Sequence, residues 1–302
     1  GADAMARYHR LQGEPVHFVI GMDEHGQKVL QSAQGDGITP PAWVDRISGQ
    51  FAETCRMLGI GNDDFIRTSQ PRHHEAVHEL IRRIERPGGL YQGTYAGCYC
   101  VGCEAYKTEE ELERPPVEDG EGPLFCPIHP SRELQWMKEQ NWFFRLSAYQ
   151  HRLLALMDER PQFIQPEIRR NEVRRVVEGG LKDISVSRSN LPWGIAWPNE
   201  PGQTVYVWLD ALTNYLSATG FPHPGYDQIW PADVHVIGKD ITRFHCIYWP
   251  AFLMSAGIEL PRSVWAHGFV TYAGRKESKS EGVKYDLQQA IAQHGPEPLR
   301  YF

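Results

Sequence analysis

Two ligand pairs constrain this chain more than any other feature: Cys100-x2-Cys103 and Cys126-x2-His129, with 22 residues between them. Each pair can sit on one tight turn, and two such turns bring four soft or borderline ligands within reach of a single tetrahedral cation. With four protein ligands no coordination position stays open, so the pattern predicts a structural zinc site, one per chain, without catalytic chemistry. Gly102 and Pro127 suit the turns, and Cys98 is a spare thiol able to compete with Cys100. Residues 92–135 otherwise carry prolines and acids with little apolar periodicity, so metal binding is expected to fold them. Four of the six cysteines cluster here and no secretory pattern opens the chain. That combination argues for a reducing compartment, and hence a cytoplasmic protein, rather than a disulfide framework.

The knuckle interrupts an alternating pattern. Val16 to Ile20 is a short apolar run ended by Gly21, as in a buried parallel strand, and a helix is expected from about Gln27. Thr39-Pro40-Pro41 reads as a cap for a helix with the stripe Val44, Ile47, Phe51, Cys55 and Leu58. Phe65 to Thr68 reads as a second strand, followed by a helix from about His73 to Pro87-Gly88-Gly89. Helices are expected again over 141–180, then strands at Asp183–Ser187 and Thr204–Trp208, a helix from Asp210, a buried strand at Val234–Ile237 and a helix through Ala256. Strand and helix in alternation spell an α/β fold with a doubly wound parallel sheet. The expected organisation is residues 1–91 as the first half of a nucleotide-binding Rossmann-like domain and 92–203 as a connective insertion bearing the zinc knuckle. Residues 204–267 would be the second half, and 268–302 the start of a further region.

The bulk charge excludes little but directs attention. A net charge of -7 over 302 residues gives no global basic field for nucleic acid, so an RNA partner needs a local patch. Arg169-Arg170 with Arg174-Arg175 is the dense one, and a solvated helix face accounts for it equally. No uninterrupted apolar run approaches the roughly 18 residues of a membrane span, so no membrane association is expected.

Three sets of residues can carry chemistry. Asp23, His25 and Asp240 fall at the carboxyl ends of expected parallel strands, where open α/β sheets bind ligands. Asp23 can hold an ammonium group there, and Arg188 can orient a carboxylate. Trp208, Tyr215, Phe244, His245 and Trp249 are either ordinary core or an apolar pocket with polar tips, suited to an unbranched, polarizable side chain such as that of methionine. Finally, Gly274-Arg275-Lys276-Glu277-Ser278-Lys279-Ser280-Glu281-Gly282 alternates lysine and serine between glycines. It is a charged hairpin tip or a loop able to close on polyphosphate.

Taken in order, these residues resemble the methionyl-tRNA synthetase family of class I aminoacyl-tRNA synthetases over nearly the whole chain. The landmarks are Asp23-Glu24-His25-Gly26-Gln27-Lys28, the Cys/His knuckle, Asp183-Ile184-Ser185-Val186-Ser187-Arg188, and Tyr206-Val207-Trp208-Leu209-Asp210-Ala211. Ile237-Gly238-Lys239-Asp240-Ile241 comes next, with Phe244-His245 and Trp249-Pro250, and then the lysine loop. The resemblance implies a class I Rossmann-like fold and a ligase that activates methionine with ATP, accompanied by magnesium, and passes it to the 3′ end of methionine tRNA. It implies that Asp23 holds the methionine ammonium group and that Trp208, Ala211, Tyr215, Ile241, His245 and Trp249 line the side-chain pocket. Arg188 would pair with Asp23 and Asp240. Lys279, supported by Lys276, would stabilise the phosphates, and His267 and Val270 would lie near the adenine.

The chain departs from the family pattern in three ways. The H-I-G-H signature is absent and is expected just before residue 1, on a central strand whose absence would leave an apolar sheet edge uncovered. The lysine loop reads K-E-S-K-S, with Glu277 where methionine is usual, and that acid is expected to point away from the phosphates. The helical anticodon-binding domain is expected after about residue 302. The chain therefore reads as a catalytic fragment cut at both ends. The first two departures also motivate an alternative, a catalytically degenerate paralogue acting as a zinc-containing RNA- or partner-binding module.

Overall fold

The computed structural model describes residues 1–302 except 104, 108, 115, 118–119, 131, 190, 270, 273–274, 277–286 and 302. Its parallel framework comes in two pieces. In the first, strand Val19–Met22 pairs with Asp64–Arg67, Gly21 facing Ile66. A Cβ at Gly21 would lie 2.6 Å from Ile66 Cγ2 and 2.9 Å from the Ile66 carbonyl oxygen, so only glycine allows this approach. Helices Gln27–Gly35 and Pro40–Met57 connect the two strands. Thr39 Oγ1 accepts from the Ala42 N–H at 3.5 Å and prolines occupy the first turn, as the sequence implies. Helix Pro71–Glu85 comes next and buries His73, Ala76, Val77, Leu80, Ile81 and Ile84, one stripe at helical spacing.

In the second piece, His235–Gly238, Val264–His267 and Ile164–Gln165 lie side by side, all parallel. The pairing of Ile164–Gln165 with Val264–Trp265 binds that part of the 92–203 stretch into the parallel sheet. A cavity of about 910 Å³ separates the two pieces. Val16 to Val19 border it from one side and Val234 to Val236 from the other, and Ala2, Met5, Ala6 and His9 of helix Ala2–Leu11 cover it. The first strand begins at Val19, later than the apolar run suggests: residues 16–18 border this cavity, although the Phe18 carbonyl already accepts from the Asp63 N–H at 2.7 Å.

Helix Ala2–Leu11 is tied down by Arg7, which donates to the Gly59 carbonyl, by Arg10, which donates to the Gly61 carbonyl and the Asp63 carboxylate, and by Asp3. Asp3 accepts from the Gly61 N–H at 2.7 Å, from Arg7 Nε at 2.8 Å and from Arg300 Nη2 at 2.5 Å. Burial opposes ionisation of Asp3, but the Gly61 N–H, Arg300 and Arg7 together hold its pKa below the usual carboxylate value.

Between the two pieces the chain forms a long antiparallel ribbon. Leu90–Cys100 pairs with Leu134–Phe144 along its whole length, from Leu90 opposite Phe144 to Cys100 opposite Leu134. Ala105–Lys107 and Ile184–Ser185 flank it. The expected helix from residue 141 therefore starts later, after Phe144 and a short 3₁₀ turn, at Gln150. Alternation in the ribbon is hard to read because glycines and glutamines occupy several of its positions, and they carry no hydrophobic signal.

A second correction matters for the site. Thr204–Trp208 is not one strand: only Thr204–Val205 pair, against Ser187–Arg188, and helix Val207–Ser217 starts at once. Trp208 is thus on the first turn of a helix, where the aspartate at 210 favours an N-terminus.

One core unites helix Pro71–Glu85, Phe144, Phe163, Leu212, Trp249, Phe252 and Val264. The knuckle has only a satellite cluster of Cys100, Leu112 and Cys126. Among the described residues no helix is long and apolar enough to cross a membrane.

Candidate functional site

Both parallel pieces end on the residues singled out by the sequence. Val19–Met22 runs directly into Asp23, and His235–Gly238 into Lys239-Asp240. Asp23 is exposed while Glu24, His25 and Gly26 are buried. Glu24 is tied to its neighbour strand: its N–H donates to Thr68 Oγ1 at 3.0 Å, and its carboxylate accepts from Arg67 Nε at 2.7 Å and from Ser69 Oγ. Gly26 has a φ of 102°, which an L side chain resists, and it turns the chain into the next helix. Asp240 is exposed, and its Oδ1 lies 2.7 Å from where a Cβ on Gly238 would be, so the carboxylate folds back over the end of its own strand. His267 is exposed beside Gly238, its register partner.

Behind these ends sits the aromatic cluster. Trp208, Ala211 and Tyr215 recur at spacings of three and four on helix Val207–Ser217 and share a face. The Trp208 ring stacks on Phe244 at 3.6 Å and 4°. The Tyr215 hydroxyl lies 2.8 Å from His245 Nε2, and its ring is 6.3 Å from Trp249. His245 Nδ1 lies 3.0 Å from the Ile241 carbonyl. Since that oxygen only accepts, Nδ1 carries the hydrogen, Nε2 accepts from the tyrosine, and the imidazole is neutral. Burial pushes the pKa of His245 down to about 4, against a smaller upward pull from the Ile241 carbonyl, and pushes the Tyr215 hydroxyl up. His245 lies in a π-helical segment, Phe244–Tyr248, whose extra residue re-aims side chains relative to the adjoining helix Trp249–Ala256.

Arg188 is buried beneath this cluster. Its Nη1 donates to the Ser187 carbonyl at 2.7 Å and to Ser185 Oγ at 3.0 Å. Its guanidinium faces the rings of Tyr206 at 4.3 Å, Tyr106 at 4.5 Å and Tyr99 at 5.6 Å. Tyr99 sits between Cys98 and Cys100, and Tyr206 immediately precedes the helix of Trp208, so one cation contacts residues next to the knuckle and next to the helix of the aromatic site.

The knuckle ligands converge as their spacing predicts. One ligand atom from each of Cys100, Cys103, Cys126 and His129 lies within 4.8 Å of all the others. Cys103 Sγ is 3.6 Å from Cys126 Sγ and 3.3 Å from His129 Nδ1, while Cys100 Sγ is 3.9 Å from that nitrogen. Tetrahedral zinc–thiolate and zinc–imidazole bond lengths require edges of about 3.5–3.8 Å, so the donor set fits such an ion. The neighbouring Cys103 thiol holds Cys100 low, at about 4, against burial. A Cβ on Gly102 would lie 2.5 Å from His129 Cγ, which accounts for that glycine sterically. Cys98 packs against the cluster without joining the group of four, so of the two it is Cys100 that could hold a metal ion there.

Other expected residues fare differently. Lys279, Val270 and Glu277 lie outside the described residues. Lys276 is described as backbone only, paired with Thr271. In the arginine patch, Arg169 pairs with Glu172, Arg170 with Glu167, and Arg174 with Asp158 and Glu178, as in a salted helix face.

Sequence reasoning missed three polar residues that the fold brings to the site. Asp210 is fully buried and accepts from two imidazoles, His25 Nδ1 at 2.7 Å and His73 Nε2 at 2.6 Å. Burial opposes its ionisation, yet His25 and His73 hold its pKa below the ordinary value. His235 stacks under Tyr215 at 4.0 Å and accepts from Trp249 Nε1 at 3.3 Å. For Asp210 and His235 the available signal was a charged or ring-nitrogen residue inside an otherwise apolar element, whereas His73 stands among other polar residues of an amphipathic helix.

Comparison with known proteins gives one answer. A family model described as tRNA synthetases class I (M) matches residues 1–122 and 125–302. The methionine–tRNA ligase of Rhizobium meliloti is 49% identical over 303 residues, covering 99% of this chain and 58% of that protein. That of Thermotoga maritima is 44% identical, covering 100% of this chain and 47% of its own length. Among solved structures, Mycobacterium tuberculosis methionyl-tRNA synthetase bound by methionyl-adenylate superposes with a TM-score of 0.93 at 46% identity, covering 100% of this chain and 59% of that one. Its free state gives 0.82 at 41% identity, covering 100% and 56%. The chain thus spans about half the length of these relatives, and it belongs to the class I tRNA synthetases of the M family.

Proposed function

We propose that the chain is the catalytic part of a cytoplasmic methionine–tRNA ligase. The observation that carries this reading is the 2.7 Å hydrogen bond from His25 to Asp210, which ties the turn of the exposed Asp23, at the carboxyl end of a parallel strand, to the helix that carries Trp208, Ala211 and Tyr215. A zwitterionic amino acid with an apolar, unbranched side chain matches that pairing. The relative bound by methionyl-adenylate supports it, being similar over the whole of this chain.

In this reading Asp23 binds the methionine ammonium group, and Trp208, Ala211, Tyr215, Ile241, His245 and Trp249 enclose the side chain. The neutral Tyr215–His245 pair presents no charge to the thioether. Arg188 pairs with Asp23 and Asp240. Lys276 and Lys279 neutralise the phosphates, and His267 and Val270 flank the adenine. The methionine carboxylate attacks the α-phosphate of ATP; the new P–O bond forms as pyrophosphate leaves. A hydroxyl of the terminal adenosine of methionine tRNA then attacks the methionyl carbonyl and AMP departs. Neither step needs a nucleophile from the protein, whose work is alignment and charge stabilisation. Zinc at Cys100, Cys103, Cys126 and His129 closes the knuckle, and magnesium accompanies ATP.

The test is methionine-dependent ATP–pyrophosphate exchange by the complete gene product with magnesium present. Exchange that requires methionine and is abolished by Lys279→Ala is expected. An inert protein that still binds RNA and retains zinc would favour the degenerate paralogue.

A further inference from the structure

The turn Asp23–Gly26 is held by more polar contacts than a turn of its length needs. Its exposed member is Asp23. The three residues behind it are buried and tied to three separate elements. The first tie is the Thr68, Arg67 and Ser69 cluster on Glu24. The second is Trp193, whose Nε1 donates to the Glu24 carbonyl at 2.7 Å, whose carbonyl accepts from the Gly26 N–H at 3.4 Å, and whose ring meets His25 edge-on at 5.2 Å. The third is Asp210. One of its oxygens accepts from His25 at 2.7 Å, and the other accepts from His73 at 2.6 Å. The far nitrogen of His73 reaches Ser217 Oγ at 2.8 Å, one further point on the helix of Asp210.

This chain of contacts has a direction. Asp210 sits between Trp208 and Ala211 on helix Val207–Ser217, and His25 is two residues from Asp23. The Asp210 carboxylate therefore joins the residue proposed to hold the amino group to the helix proposed to hold the side chain. A buried carboxylate with both oxygens committed has few alternative geometries, because displacing either imidazole leaves an uncompensated buried charge.

We propose that His25, through Asp210 and His73, is a positioning residue that fixes the Asp23 carboxylate relative to the side-chain pocket and so selects substrates carrying a free α-amino group. The inference rests on the methionine ligase reading above.

The experiment uses the complete gene product and compares methionine with its desamino analogue, 4-(methylthio)butyrate, as a competitive inhibitor of exchange. His25→Ala is expected to raise the KM for methionine roughly tenfold to a hundredfold, the scale on which small misplacements act. The KM for ATP and the inhibition constant of the desamino analogue should each stay within about twofold, since neither depends on the ammonium site. His25→Asn, whose side-chain N–H can donate to Asp210 from a similar position, should recover most of the lost affinity. If His25→Ala does not fold, Asp210→Asn, which keeps the packing but turns one acceptor into a donor, should show the same selective loss. Equal weakening of methionine and the desamino analogue, or unchanged methionine affinity in a folded variant, overturns the proposal while leaving the ligase reading intact. Wild-type protein without methionine-dependent exchange overturns both.

Discussion

The Tyr215 hydroxyl donates to Nε2 of His245 at 2.8 Å, and the opposite nitrogen of that ring is occupied by the Ile241 carbonyl at 3.0 Å. The histidine therefore sits in one neutral tautomer, and a second ring proton on Nε2 would require the Tyr215 hydroxyl to turn from donor to acceptor. Protonating it reverses that hydrogen bond and places a charge in a buried site.

Stability should consequently depend on acid. Burial holds His245 at about 4, and burial with the nearby His245 holds His235 at about 3, both below the ordinary imidazole value. In the unfolded chain both bind a proton as pH falls through about 6.5, whereas in the folded protein they do not. Stability is therefore full above about pH 6.5 and declines as pH drops toward 4, with His245 accounting for roughly 3 kcal/mol of the decline. Urea titrations from pH 4.5 to 7.5 should show this slope, and His245→Gln should flatten it. An unchanged slope in that variant would locate the effect elsewhere.

At the knuckle, Gly102→Ala should weaken metal binding without touching a ligand. Its Cβ would sit 2.5 Å from the His129 ring, so the ring must move. A loss of about 10–100-fold in zinc affinity is expected, as when a ligand's support is disturbed. Cys98→Ser should retain one zinc per chain and Cys103→Ser should lose it, both measured by metal analysis after dialysis.

Gly21→Ala should destabilise the first parallel piece. The added methyl meets Ile66 Cγ2 at 2.6 Å and its carbonyl oxygen at 2.9 Å, and the backbone atom cannot swing aside. Overpacking of this kind costs about 1–3 kcal/mol. Denaturant unfolding should reveal the loss, which Ile66→Ala can relieve only in part because the carbonyl clash remains, and which Ile66→Val leaves in place because valine keeps the clashing γ-methyl.

Asp3→Asn should loosen helix Ala2–Leu11 selectively. The carboxylate accepts from the Gly61 N–H, Arg7 and Arg300, and hydrogen bonds to a charged group are each worth about 1.5–3 kcal/mol. Because its folded pKa lies below its ordinary value, this contribution is present above about pH 4 and is lost as pH falls below it. Hydrogen exchange in residues 2–11 should quicken in the variant while the core helix Pro71–Glu85 stays protected.

How much of the fold and site was legible in the sequence divides along physical lines. The knuckle was readable because metal geometry fixes spacing directly. Asp23 and Asp240 were readable because a short apolar run closed by glycine marks the carboxyl end of a strand, and both aspartates sit just past such a glycine. Asp210 and His73 were not, since their partners are 137 and 185 residues apart in sequence and no local pattern encodes a long-range hydrogen bond. The ribbon was under-read for a different reason: Gly93, Gly97, Gln92 and Gln135 lie on its paired arms and erase the alternation on which a strand is usually recognised. Trp208 was placed on a strand because Thr204 to Trp208 is β-rich in composition. Only the two-residue length of its pairing partner, Ser187–Arg188, ends that strand at Val205.

The cavity between the two parallel pieces has a consequence for solubility. Val19 and His235–Val236 border it, and among the described residues Val19–Met22 pairs only with Asp64–Arg67 and His235–Gly238 only with Val264–His267, so each piece turns one strand edge toward the cavity. Helix Ala2–Leu11 is its cover, and the Asp3, Arg7 and Arg10 contacts keep the cover shut. Lifting this helix would uncover part of that cavity without unfolding the domain, and so bring the strand edges nearer to another molecule. The propensity to clump should track the opening free energy of the cover, and a protein with an unaltered melting temperature could precipitate faster merely because its first helix is held less firmly.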